Sequence, residues 1–273
     1  MNNNMDNDLA LSGCVLITGA AGGLGWEMAR VFHRRGHALV LADINAEQLD
    51  ARAAELATPE RVAVLAGDIT DHDHQQALVD LAQARFSGVA VLVNNAGITH
   101  RSLAEKTDPA VLRKVMHVDW QAPLELALRA MPQIRQHRGG LINIGSMAGW
   151  MPVLGRTAYC AAKAALSQSF EVIRCEQQRH GVHVLMAYPS FIDTPIEQHA
   201  LGHDGKPARH ARSMVGKMKS ADWMAERIVV AWGKRQKRVY SDNLAVFGAL
   251  LWRVAPDLYQ RIMMKKFAVE LEQ

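Results

Sequence analysis

Tyr159 and Lys163 stand four residues apart in AYCAAKAALSQSF (158–170), an alanine-rich run without glycine or proline. Alanine is the best helix former, so the run is predicted to be helical, and positions i and i+4 share a helix face. An ammonium beside a phenol favours the phenolate and is expected to bring the tyrosine below its reference pKa of about 10. That is a general acid/base usable near neutral pH. The same pair also fits an exposed aromatic and a solvated lysine on an ordinary helix. The rest of the chain decides between the two.

A second chemical feature is the turn TGAAGGLG (18–25), which follows the apolar run CVLITG and precedes a helical stretch. Glycines there let a ligand approach the backbone, and the helix N-terminus offers N–H groups to a pyrophosphate. Asp43 closes the next apolar run, HALVLAD, where a carboxylate can accept from an adenosine ribose and repel a 2′-phosphate. It can equally cap the helix beginning at Asn45. Asp68 ends the third run on the same edge, where ligands of such sheets bind.

These residues need a scaffold, and the pattern supplies one. Apolar runs at 14–19, 37–43, 61–68, 89–97, 140–146 and 182–189 alternate with helical stretches, and KRVYSD (237–242) reads as a seventh strand. Short apolar runs bounded by turns read as buried parallel strands, and their alternation with helices predicts an α/β, doubly wound Rossmann-type sheet of about seven strands. The segment from about 109 to 136 reads as one long helical region. One domain is expected over 11–242, after a flexible leader at 1–10 and before a C-terminal helical extension at 243–273.

Composition narrows the class. The chain has 273 residues, half of them hydrophobic, with a formal net charge of +4. Basic residues are spread out and KRQKR (234–238) reads as a solvated loop, so no nucleic-acid partner is expected. Cys14, Cys160 and Cys175 have no metal spacing and read as reduced thiols of a cytoplasmic protein. The polar start, MNNNMDNDLALSG, carries no secretory signal core, and no stretch approaches the roughly 20 apolar residues of a membrane span.

In order, these motifs resemble the short-chain dehydrogenase/reductase family over about residues 11 to 242. TGAAGGLG resembles its TGxxxGxG turn, NNAG (94–97) its fourth-strand signature, and Ser146, thirteen residues before Tyr159, its catalytic serine, with Tyr159 and Lys163 as its YxxxK pair. The resemblance implies an NAD-dependent oxidoreductase, with NADP as the alternative, that moves a hydride between the cofactor and an alcohol or carbonyl carbon. Tyr159 would be the acid/base, Lys163 would lower its pKa and hold the nicotinamide ribose, and Ser146 would orient the substrate oxygen. It implies cofactor contacts at Gly19, Ala21, Gly23, Leu24, Gly25, Asp43, Ile44, Asp68, Ile69, Asn95, Ala96, Gly97, Pro189, Ile192 and Thr194, besides Tyr159 and Lys163.

Two departures stand out. Ser190 replaces the glycine that usually follows the proline after the sixth strand. Asp119, in MHVDWQAP, stands where the family has a fourth catalytic residue, an asparagine whose main-chain carbonyl holds a relay water. A weakened member that keeps the cofactor as a structural or sensing ligand is therefore the alternative reading.

The substrate, an alcohol or ketone, is expected to lie against Ser146, Ala148, Trp150, Tyr159 and Phe191, an apolar wall with Met147 and Met151 nearby. Residues 196–220 fall at the family's mobile lid. His199, His203 and His210 there have no common metal spacing and read as solvated, so no metal is expected. The apolar and basic tail is expected to cover the cleft or pack in a homodimer or homotetramer, with contact to a membrane surface ranked third.

Overall fold

The computed structural model describes residues 12–194, 196, 199–208 and 218–268. The expected leader and His210 of the expected lid lie outside them. Seven strands form one parallel sheet: β1 (Cys14–Thr18), β2 (Leu39–Asp43), β3 (Val62–Ala66), β4 (Val89–Asn94), β5 (Gly140–Ile144), β6 (His183–Tyr188) and β7 (Arg238–Tyr240). Their order is β3-β2-β1-β4-β5-β6-β7, with a switch point between β1 and β4. Strands β1, β4, β5 and β6 are buried throughout, as expected for strands covered on both faces.

Helices α1 (Gly23–Arg34), α2 (Ala46–Leu56) and α3 (His72–Phe86) follow the first three strands. The long region after β4 is interrupted. It resolves into α4 (Pro109–Met116), a π turn at His117–Gln121 and α5 (Ala122–Gln136). Pro123 has no N–H to offer the carbonyl four residues back, that of Asp119, so the α ladder cannot run through. Such π turns are frequent at functional sites, and this one carries buried Asp119.

Helix α6 (Thr157–Gln177) carries the Tyr159/Lys163 pair as predicted. Helix α7 (Ala221–Gly233) was not anticipated; its Met224, Ile228, Val229 and Trp232 join the core on the α1 side of the sheet. That three-and-four spacing was visible in ADWMAERIVVAWG. The tail forms α8 (Asn243–Val254) and α9 (Pro256–Lys266). Tyr259 fixes α9 by donating to the Pro152 carbonyl at 2.9 Å.

All the predicted strands but the second overshoot at their carboxyl ends. Strand β4 stops at Asn94 because the Asn95 and Ala96 N–H groups turn to Thr18 Oγ1, at 3.1 and 3.0 Å. That turn builds the first wall of the site.

Candidate active site

Ser146 follows β5 and opens a short 3₁₀ turn, its Oγ accepting from the Ala148 N–H at 3.1 Å. It lies within hydrogen-bond reach of the Tyr159 phenol. Both line a cavity of about 370 Å³. Behind the phenol, Lys163 Nζ sits 5.8 Å from the tyrosine ring centre and donates to the Ile144 carbonyl at 3.2 Å.

The lysine's counter-charge is Asp119. Its Oδ2 lies 3.1 Å from Lys163 Nζ, and its Oδ1 accepts from the Ile98 N–H at 2.7 Å. Both groups are buried, and a Cβ on Gly97 would come within 3.4 Å of both. Asp119, where the resemblance implies an asparagine, is thus ion-paired to the lysine whose charge acts on Tyr159.

One expectation is overturned. The Tyr159 pKa lies above the ordinary tyrosine value, because burial penalises the phenolate more than Lys163 favours it; Asp119 also raises it, while Ser146 lowers it. The sequence shows the lysine but not the desolvation. For Lys163 burial works against the ammonium, yet Asp119 and Tyr159 together carry it above the usual lysine range. Burial raises the Asp119 carboxyl, with Lys163 and the Ile98 N–H opposing.

The glycine turn lies at the carboxyl edge beside β4. Gly19 adopts φ +64°, and a side chain at Gly25 would collide with the Gly19 carbonyl. Helix α1 begins at Gly23 with no side-chain cap, so its first N–H groups remain for a ligand. A hollow of about 290 Å³, lined by Gly23, Trp26, Arg52 and Thr194 among others, lies against that helix start. Asp43 Oδ2 accepts from Ala21 N–H at 2.9 Å and Oδ1 from Asn45 N–H at 3.0 Å. It therefore ties the glycine turn to the start of α2, whose cap proper is Asn45. Asp68 is exposed, held by the Thr70 N–H and hydroxyl at 2.9 and 2.8 Å.

Asn95 and Ile192, two further expected cofactor residues, and their neighbours Asn94 and Ser190 have structural partners. The Asn95 side chain donates to the Thr18 and Gly19 carbonyls, both at 3.0 Å. Asn94 donates to Asn143 at 2.8 Å within the sheet. Ile192 is buried and bridges to Lys219, and the Ser190 N–H is held by Ser241 Oγ at 2.9 Å.

On the substrate side, Ala148, Met151 and Phe191 line the cavity as expected. Trp150 does not. Its ring packs edge-on against Tyr188 and Tyr240, at 4.8 and 5.5 Å between centres, behind the cavity wall. Its place is taken by the tail: Leu244, Phe247 and Leu251 of α8 and Tyr259, Ile262 and Met263 of α9 complete the lining. The extension thus covers the cleft, one of the two roles expected first.

Sequence reasoning missed His100 and Arg156. His100 is fully buried and its Nε2 accepts from the Ala158 N–H at 3.0 Å, capping α6 one residue before Tyr159. Arg156 lines the cavity and donates to Thr99 Oγ1 at 2.6 Å. A lone histidine after NNAG gave no signal of either contact.

An acceptor Nε2 requires neutral His100, and burial, then Arg156, bring its pKa down to about 4. Burial, then Arg235, brings buried His183 to about 4 as well. A depressed folded-state pKa means the stability these neutral rings contribute is complete above the unfolded value of about 6.5 and is lost as pH falls towards 4. We expect about 3 kcal/mol from each ring across that window. Urea midpoints from pH 7.5 to 4.5 should fall accordingly, and less steeply in His100→Gln, whose amide oxygen can accept the same N–H.

The comparisons with known proteins agree with this geometry. A family model described as short chain dehydrogenase matches residues 13–204. The chain is 33% identical over 258 residues to dehydrogenase/reductase SDR family member 7B of Bos taurus, covering 91% of this chain and 79% of that protein. A short-chain dehydrogenase/reductase from Burkholderia phymatum, solved in complex with NAD, superposes with a TM-score of 0.80 at 22% identity, over 92% of this chain and 96% of the other. A short-chain dehydrogenase from Sphingobium yanoikuyae, in complex with NADPH, gives 0.74 at 26% identity over 92% and 95%. With the ordered motifs, the sheet order and the Ser146–Tyr159–Lys163 cluster already in place, these matches establish that the chain belongs to the short-chain dehydrogenase/reductase family of oxidoreductases.

Proposed function

We propose that this protein is an NAD(H)-dependent oxidoreductase that interconverts an alcohol and a ketone on a predominantly apolar substrate. The observation that carries the proposal is the phenol of Tyr159 facing, together with Ser146, into a cavity walled by Met151, Phe191 and the tail helices, with the Lys163 ammonium behind it. The dinucleotide fits the other half of the site: an uncapped helix N-terminus for its pyrophosphate and the Asp43 carboxylate for its adenosine ribose. When bound, the nicotinamide accepts or delivers the hydride.

The chain's own groups do the rest. Tyr159 takes the hydroxyl proton in oxidation and returns it in reduction. The Ser146 hydroxyl donates to the substrate oxygen, stabilising charge where it develops. Lys163, held charged by Asp119, favours the phenolate against the burial that opposes it. The apolar walls exclude water and select lipophilic substrates over sugars.

We expect NAD(H) to bind at least tenfold more tightly than NADP(H). A 2′-phosphate would meet Asp43 as a like charge, beside exposed Ile44, and the nearby Arg52 is already engaged by Glu55 at 2.7 Å. Titration with both cofactors tests this, and Asp43→Asn should narrow the ratio because the amide keeps the Ala21 contact without the charge. Turnover with each cofactor against sterols, lipophilic secondary alcohols, 3-hydroxyacyl compounds and sugars tests the reaction. Sugars outperforming the lipophilic alcohols would overturn the substrate class, and cofactor binding without turnover of any would favour a sensing role.

A further inference from the structure

Seven of the thirteen large apolar side chains exposed among the described residues fall in α8 and α9. Leu244, Phe247, Leu250 and Val254 follow one another along α8 at 58, 61, 58 and 73% exposure, and Leu258 and Ile262 continue the patch along α9. Helical spacing puts each set on one side of its helix. A run of this kind is larger than the scattered apolar residues of an ordinary surface and marks an interaction site.

Charge identifies the occupant. The two helices carry Arg253, Arg261, Lys265 and Lys266 against a single acid, Asp257. Glu270 and Glu272 follow in the chain, outside the described residues. A second copy packed through the same helices would set these cations against their own kind. An anionic bilayer surface instead takes apolar side chains at its acyl boundary and pairs the cations with its headgroups. No helix among the described residues is long and apolar enough to cross a membrane, so the contact would lie in the interface plane. The patch is also continuous with the cavity. Leu244, Phe247 and Ile262 are exposed and line it, with Lys266 beside them.

We propose that α8 and α9 dock this protein on an anionic lipid surface, with the mouth of the cavity facing the bilayer so that lipophilic molecules enter from it. Docking does not depend on the chemistry proposed above, and its test reads no turnover. The purified full-length chain is floated with vesicles of phosphatidylcholine alone or mixed with phosphatidylglycerol, at low salt and at about 0.5 M, where surface charge is screened. We expect at least tenfold more protein on the anionic vesicles, and its release at high salt. Leu250→Glu/Val254→Glu alters exposed residues that do not line the cavity, and should lower binding at least tenfold while cofactor binding and thermal unfolding stay unchanged. Arg253→Glu, a milder change, should lower it in the same direction. Failure of the wild-type chain to float with anionic vesicles would overturn the proposal. So would self-association that Leu250→Glu/Val254→Glu abolishes, since the patch would then meet a second copy.

Discussion

Tyr159→Phe is expected to lose between about 10² and 10⁴ of turnover, the usual contribution of general acid/base catalysis, while binding the cofactor nearly as wild type does. Phenylalanine keeps the ring that packs in α6 beside Val115, Ala158 and Ala162, so the fold should stand. It loses the phenol proton that faces the cavity beside Ser146. Single-turnover rates and cofactor titration on the two proteins separate the effects. If the variant keeps more than about a tenth of the rate, the proton passes elsewhere and the role assigned to Tyr159 is wrong. The raised Tyr159 pKa adds a pH expectation: oxidation needs phenolate, so its rate should climb well into the alkaline range. A positively charged nicotinamide bound nearby acts in the same direction as Lys163, so the limb should lie lower with cofactor bound than in the free protein.

Much of this was legible from the chain because the sheet announces itself. Parallel strands buried on both faces read as apolar runs, which marked the inner strands, and all seven strands were found with ends off by at most a few residues. The misplaced ends have local causes, such as Thr18 drawing in the Asn95 and Ala96 amides. The triad was legible because its members lie on one helix and one strand end at fixed spacing. Features that depend on distant chain were not. Trp150 looked like a cavity wall, and only β6 and β7, brought alongside through Tyr188 and Tyr240, turn it away. The His100 cap joins residues 58 apart in sequence, and no periodicity encodes it. The sign of the Tyr159 shift required burial, which the i, i+4 rule does not report. The π turn could have been foreseen from Pro123, had its missing N–H been traced back to Asp119.

Asp119 stands where the resemblance implies an asparagine, and its buried ion pair with Lys163 makes the consequence measurable. Asp119→Asn keeps an oxygen for the Ile98 N–H, now 2.7 Å from the carboxylate, and removes the charge 3.1 Å from Lys163. Asp119 raises the Tyr159 pKa, so its neutralisation should move the alkaline limb of oxidation to lower pH. A smaller opposing effect comes through Lys163, which loses an attraction that holds its own pKa up and must rely on the Ile144 carbonyl and the phenolate. Because the ammonium remains the charge that acts most strongly on the phenol, we expect the direct effect to win and about a tenth or more of the activity to survive, since proton transfer by Tyr159 is untouched. Asp119→Ala differs in kind. It leaves both the Ile98 N–H and the buried ammonium without their partner, and breaking a buried pair from one side costs about 3–5 kcal/mol. That variant should unfold at markedly lower urea, whereas the asparagine variant should lose less. The measurement is turnover against pH for wild type and Asp119→Asn, with urea unfolding of all three proteins. A loss in Asp119→Asn as deep as that of Tyr159→Phe would mean that the carboxylate itself carries the proton onward from the tyrosine. A limb that moved to higher pH would mean that Asp119 acts on Tyr159 chiefly by keeping Lys163 charged.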